Sequence, residues 1–129
     1  MIEKFPPIIL ASKSPRRQEL LQLMGIEFTV VLKDADESYP AGLSPSEIAV
    51  HISEKKVSAF DEAIIDEIVI TADTIVSLDG RILGKPENAD HAFEILSDLS
   101  GKRHEVITAV SLLKHHQVKS FFEVSEVFF

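Results

Sequence analysis

The stretch EIVITADTIVSLDG, Glu67 to Gly80, decides the fold. Ile68, Val69, Ile70, Thr71, Thr74, Ile75 and Val76 make it a long β-branched run, the composition that suits a pleated strand. One carboxylate, Asp73, interrupts the run. Asp79-Gly80 is a hairpin turn signal, and RIL (81–83) follows as the return. On the N-terminal side, IIL (8–10) comes after Pro6 and Pro7 and reads as a short buried parallel strand. Between these two runs ASKSPRRQELLQLMG, Ala11 to Gly25, reads as a helix. Ser14 is its N-cap and Pro15 its first residue, Leu20, Leu21, Leu23 and Met24 form its apolar stripe, and Gly25 closes it.

IEFTVVL (26–32) then alternates as a strand, and KDADESYPAG (33–42) is a loop rich in carboxylates, Pro and Gly. A second helix starts at SPSE, where Ser44 caps, Pro45 is the first residue and Glu47 completes a capping box; Ile48, Ile52 and Phe60 recur at helical spacing. A third helix is expected from about Asn88 to Leu99, with Ala92, Phe93 and Leu96 inward and Ser100-Gly101 ending it. HEVITAVSLLK (104–114) and VKSFFEVSEVFF (118–129) are two antiparallel strands joined at His115-His116-Gln117. Strands alternating with helices and then pairing as hairpins give an α/β domain with a mixed sheet.

At 129 residues the chain fits one domain, and 45% hydrophobic with 26% charged residues is ordinary globular composition. The formal net charge of −8 argues against a polynucleotide partner but leaves room for a small anion in a local basic pocket. With no cysteine, disulfides, a thiol nucleophile and thiolate metal sites are excluded, which fits a reducing, cytoplasmic setting. No stretch approaches membrane-spanning length. The last stretch, VSEVFF, alternates like a strand and ends on Phe128 and Phe129, so either the domain continues or a partner chain covers this end.

Arg16 and Arg17 are the first anomaly. They occupy the first turn of a helix, where free N–H groups and the helix dipole repel cations at a cost of about 1 kcal/mol or less each. A docked anion reverses that sign. Strand, turn and helix N-terminus form an anion site, arginine forks match phosphate, and Lys13, Ser12 and Ser14 add donors. The alternative is that the arginines reach solvent or pair with acids such as Glu19. The turn lacks the glycines of a P-loop. Asp73 is the second anomaly, since a carboxylate buried in an apolar strand without partners is costly. It serves either as a metal ligand or general base, or as a local cap at a bulge. Asp34, Asp36 and Glu37 form an acidic loop that either holds Mg2+ or Mn2+ or is simply solvated.

Lys85, in GKP, has a backbone fixed by its neighbours and is either a ligand contact or a surface lysine. Lys55 and Lys56 face different ways on the second helix, so one points to a site and the other to water. His115 and His116 are turn residues without a spaced partner, His51 and His91 lie in helices, and His104, at a strand start, is either within reach of a site or, the safer reading, a loop histidine. Together a basic helix start, separate lysines and hard oxygen ligands suit a triphosphate with Mg2+.

LASKSPRRQELLQLMGIEF, DADES, EKKVSAF, TADTIVSLDGRILGKP and LSGKRHEVITAVSL occur in that order, and with them the chain resembles the Maf family of nucleotide pyrophosphatases from Ile8 to about Phe128. The resemblance implies an α/β fold similar to the inosine triphosphate pyrophosphatases, with a mixed twisted sheet flanked by helices, a cleft between two lobes and often a homodimer. It implies metal-dependent hydrolysis of a nucleoside triphosphate to monophosphate and pyrophosphate, in the subgroup that prefers dTTP and UTP, and the family is associated with septum formation. Carried over by motif, Asp73 accepts the proton of the attacking water, and Glu37 with Asp73 holds the metal. Ser12, Arg16, Arg17, Lys56 and Lys85 face phosphate, and Arg17 with Thr74 matches the dTTP/UTP pattern. Val57 stands where the family has alanine and Ala109 where it has glycine. Family members continue past VSEVFF with a glycine-rich stretch and a glutamine that help select the base, so the chain reads as a single Maf-like domain, C-terminally incomplete. Two other classes fit the same residues: a nucleotide-binding regulatory module with little turnover, and an incomplete product that pairs through its last strand.

Overall fold

A computed structural model describes residues 6–62, 64, 66–79, 81–83, 88–99 and 101–128. Its spine is the run around Asp73, which forms strand β3 (Ile68–Leu78) after β1 (Ile8–Leu10) and β2 (Thr29–Val30) and before β4 (Arg81–Leu83), β5 (Arg103–Lys114) and β6 (Gln117–Phe128). The helices are α1 (Pro15–Leu23), α2 (Pro45–Ser58) and α3 (Ala89–Leu99). The sheet order is β2-β1-β3-β5-β6, with β4 also on β3. β1 is parallel to β2 and β3, while β3–β4, β3–β5 and β5–β6 are antiparallel, so the sheet is mixed as the sequence implied.

Pairing along β3 is uneven. β5 covers one edge from Val69 to Ser77. On the other edge β1 pairs with Ile68 to Ile70 and β4 with Val76 to Leu78. The pairing with β1 ends one step further on, where the Ala11 N–H donates to the Ile70 carbonyl at 3.0 Å. Between these two short strands the edge of β3 around Asp73 and Thr74 has, among the described residues, no neighbouring strand. A strand of eleven residues flanked on one side by two of three residues leaves such a gap.

α2 covers the face carrying Val69, Thr71, Ile75 and Ser77 of β3 and Ile107, Ala109, Ser111 and Leu113 of β5. Ile48, Ala49 and Ile52 pack on Ile75, Ile107 and Ala109, and Val57 and Phe60 pack on Val69 and Leu113. Burying each such aliphatic side chain contributes about 1.5–3 kcal/mol. The serine hydroxyls at 53 and 111 in this layer are bonded. The Ser53 hydroxyl donates to the Val50 carbonyl (3.0 Å), lies 2.7 Å from Ser111 Oγ, and Ser111 Oγ lies 2.7 Å from Ser120 Oγ. α2 starts with the expected capping box: Ser44 Oγ accepts from the Glu47 N–H, and Glu47 Oε1 accepts from the Ser44 N–H.

Four local expectations change. The strand expected over 26–32 is only Thr29–Val30, extended by one bond from the Val31 N–H to the Leu10 carbonyl, because β1 is too short to pair with more. The apolar stripe of α1 is not buried. Leu23 is 84% exposed and Leu20 and Met24 are exposed, while Arg17, Gln18 and Leu21 are half-buried, and Arg17 bonds to Thr74 of β3. In α3 the half-buried arc runs through His91, Ala92 and Ile95, leaving Phe93 72% exposed; the Leu96 side chain lies outside the described residues. His104 is not in a loop but in β5, and is buried. The hairpin turn is as expected, and His115 and His116 both take positive φ there (49° and 63°), the left-handed geometry of a tight two-residue turn.

Candidate active site

Where β1 ends and β3 runs on, the chain leaves a cavity of about 720 Å3. Space beyond the carboxyl ends of parallel strands is where α/β sheets bind ligands. Its wall includes Ser12, Lys13, Ser14 and Arg17 from the β1–α1 turn, Lys33, Asp34 and Glu37 from the loop after β2, Lys56 and Phe60 from α2 and its end, and Ala72 from β3. Among the described residues four cations and two carboxylates line it, a local excess of positive charge in a chain of net charge −8.

The β1–α1 turn is built by its hydroxyls. Ser12 Oγ accepts from the Ser14 N–H (3.1 Å) and from Arg17 Nη1 (3.3 Å), and Ser14 Oγ caps the helix by accepting from the Arg17 N–H (3.3 Å). Ser12 is buried. Arg17 Nη2 donates to Thr74 Oγ1 at 3.0 Å, and Thr74 Oγ1 lies 3.2 Å from Thr108 Oγ1. Arg16 is exposed and does not line the cavity.

On the other face of β3, Lys56 Nζ reaches Asp73 Oδ1 at 3.1 Å and Glu37 Oε1 at 3.2 Å. Alternation along the strand sends Asp73 towards α2 and Thr74 to the opposite face, and the missing neighbour strand opens both to one gap. Asp73 is only 14% exposed, and its Oδ2 is buried without a hydrogen-bond partner among the described residues. Lys55, one residue earlier on α2, turns instead to Asp36 Oδ2 (3.4 Å) and the Ser38 carbonyl (3.3 Å).

The acidic loop therefore divides. Asp34 and Glu37 line the cavity, whereas Asp36 organises the loop, its Oδ1 accepting from the Ser38 N–H (2.9 Å) and its Oδ2 from the Ser38 hydroxyl (2.8 Å). The Ser38 N–H, then the Ser38 hydroxyl and Lys55 hold the Asp36 carboxyl below its ordinary pKa. Lys85 lies outside the described residues. Two further residues had no signal in sequence pattern. Lys33 donates to the Ala59 carbonyl (3.1 Å) and sits 5.4 Å above the Phe60 ring, and Thr108 backs Thr74 from a neighbouring strand. A cation just after a strand, and a threonine across a ladder, are both too common to single out.

The family model described as Maf-like protein matches residues 7–129. The chain belongs to the Maf-like protein family. This Maf-like chain is 48% identical over 122 residues to a protein of Bacillus cereus (strain G9842) named dTTP/UTP pyrophosphatase, covering 95% of this chain and 64% of that protein. A Bacteroides thetaiotaomicron protein of the same name is 50% identical over 124 residues, with the same two shares. The chain thus spans 64% of the length of these relatives. Among solved structures, the Staphylococcus aureus Ham1 protein superposes with a TM-score of 0.65 at 15% identity, covering 93% of the Maf-like chain and 70% of that one. At that identity the likeness is one of fold, the mixed α/β fold expected from the motifs. Among the described residues no helix is long and apolar enough to cross a membrane.

Proposed function

We propose that this Maf-like chain, folded as one domain, hydrolyses nucleoside triphosphates, with dTTP and UTP preferred, to the monophosphate and pyrophosphate. The observation that carries the reading is the Glu37–Lys56–Asp73 cluster beside a cation-lined cavity at the end of β1. The names of the relatives support the same reaction. In it the triphosphate lies against the β1–α1 turn. Ser12, Lys13, Arg17 and Lys33 supply donors and positive charge, with Arg16 and Lys85 assigned to phosphate from the motif alone.

Asp73 orients a water and takes its proton as the water oxygen bonds to the α-phosphorus. The bond from that phosphorus to the bridging oxygen breaks, and pyrophosphate leaves with the electron pair. Lys56 holds Asp73 in place through Oδ1, which leaves Oδ2 to accept the proton. The Arg17–Thr74 hydrogen bond, at the position tied to the dTTP/UTP pattern, is the basis for the base preference.

A divalent cation fits the donor set. Among the described residues no three ligating side chains converge, but Glu37 and Asp73 offer two hard oxygen ligands, and Mg2+ is commonly held by one or two carboxylates plus substrate phosphates. When bound, the cation supplies Lewis-acid neutralisation of phosphate charge.

The test is pyrophosphate release from dTTP, UTP, dCTP and ATP with Mg2+ or Mn2+, beside Asp73→Asn. Turnover of dTTP and UTP that is lost in Asp73→Asn supports the reading. Tight nucleotide binding without turnover in the native chain overturns it in favour of a binding module, and full activity in Asp73→Asn removes the assigned base.

A further inference from the structure

α2 meets the sheet in two apolar patches with a polar row between them. At one end Ile48, Ala49 and Ile52 pack with Ile75, Ile107 and Ala109, and at the other Val57 and Phe60 pack with Val69 and Leu113. Between the patches Thr71 of β3, Ser111 of β5 and Ser120 of β6 stand opposite one another, one residue on each strand. Ser53 of α2 sits on this row. Thr71 Oγ1 donates to the Ser53 carbonyl at 2.7 Å, Ser53 Oγ lies 2.7 Å from Ser111 Oγ, and Ser111 Oγ lies 2.7 Å from Ser120 Oγ. Thr71, Ser53 and Ser111 are fully buried. α2 continues through Ser58, so the Thr71 hydroxyl adds to the helix's own hydrogen-bond ladder at Ser53 and does not replace it.

Apolar burial is non-directional, so the two patches hold α2 against the sheet but fix its level along β3 only coarsely. The row is finer, because an O–H···O bond holds only over about 2.5–3.0 Å. That level matters for the carboxylate cluster. Lys56 follows Ser53 by about one helical turn, and Asp73 is the next residue after Thr71 on the same face of β3. The order of the patches shows that α2 runs against β3. Lys56 therefore reaches back along the strand to Asp73, the direction in which helix side chains lean. A helix displaced along β3 would carry the Lys56 ammonium away from Asp73 Oδ1, at 3.1 Å, and from Glu37 Oε1, at 3.2 Å.

We infer that Thr71, Ser53 and Ser111 are positioning residues, whose polar row sets the level of α2 on β3 and through it the placement of Lys56 against Asp73. None of the three lines the cavity, so they act through α2 and not on substrate. The kinetic consequence rests on the proposed hydrolysis; the placement of Lys56 does not.

The test joins a chemical readout to a kinetic one. Thr71→Val keeps the branching of the side chain and removes the hydroxyl. Acetylation of the native chain with acetic anhydride, read by mass spectrometry at each lysine, should find Lys56 slow beside the exposed Lys114, because its ammonium is held between two carboxylates. In Thr71→Val, Lys56 should react severalfold faster with Lys114 unchanged. On the scale of one lost hydrogen bond, kcat for dTTP should fall about threefold to tenfold with KM little changed. Thr71→Ser, which returns the donor, should restore both. Ser111→Ala removes the partner on β5 and is expected to give the same two changes, which keeps the inference decidable if Thr71→Val does not fold. Unchanged Lys56 acetylation in the folded variants, or a loss carried by KM instead of kcat, overturns it. If the native chain does not turn over dTTP, the hydrolytic reading fails, and Lys56 acetylation alone then decides for or against the polar row.

Discussion

Lys56 Nζ stands 3.1 Å from Oδ1 of Asp73, the only carboxylate within β3. The contact joins the last turn of α2 to the middle of the central strand and leaves the second carboxylate oxygen buried and unbonded among the described residues. Under the proposed reaction, Asp73→Asn keeps the size of the side chain and removes its basicity. The expected result is a fall in kcat of about 10^2 to 10^4 with KM much less changed, read from pyrophosphate release at saturating dTTP.

Thr108 is expected to act through Thr74. The Thr74 hydroxyl accepts from Arg17 Nη2 and shares a hydrogen bond with Thr108 Oγ1 at 3.2 Å. Thr108→Val removes that hydrogen-bond partner and frees both Thr74 and Arg17 to reorient. A severalfold rise in KM for dTTP is expected, equivalent to about 1 kcal/mol, with a smaller change in kcat. Thr108→Ser, which keeps the hydroxyl, should restore KM, whereas a purely steric role for Thr108 predicts that valine, its isostere, is tolerated.

The α2 capping box makes stability depend on pH. The Ser44 N–H and then the Ser44 hydroxyl hold the Glu47 carboxyl below its ordinary pKa of 4.5. A carboxyl lowered on folding stabilises the fold above its unfolded-state pKa, and that contribution is lost as pH falls through the folded-state value. Thermal unfolding should therefore show a gap between native chain and Glu47→Gln at neutral pH that narrows below pH 4.5. At neutral pH, Ser44→Ala should cost about 0.5–2 kcal/mol, the usual worth of an N-cap hydroxyl.

Leu113 closes the core between α2 and the sheet, 1% exposed against Val57, Phe60 and Val69. Leu113→Ala is expected to destabilise by about 2–5 kcal/mol in a denaturant titration, with the spread set by how far Phe60 settles into the space. The exposed Leu23, in contrast, should tolerate alanine within about 0.5 kcal/mol.

The sequence by itself determined the elements whose signals are local. The caps at Ser14 and Ser44, the proline at each first helical turn, the β-branched run of β3 and the His115–His116 turn all follow from backbone chemistry that acts over a few residues. The ordered motifs also carried the family. Tertiary structure alone decided what depends on residues distant in the chain. It brought Lys56, already assigned to the site by motif, against Asp73, drew Asp36 away to Ser38 and Lys55, and placed Thr108 behind Thr74. It also left Leu23 and Phe93 in the open, because helical spacing states that an apolar face exists and not what the sheet presents to it. The gap on β3 between β1 and β4 is decided at the same level: each strand is legible alone, but the opening arises from the lengths over which they pair.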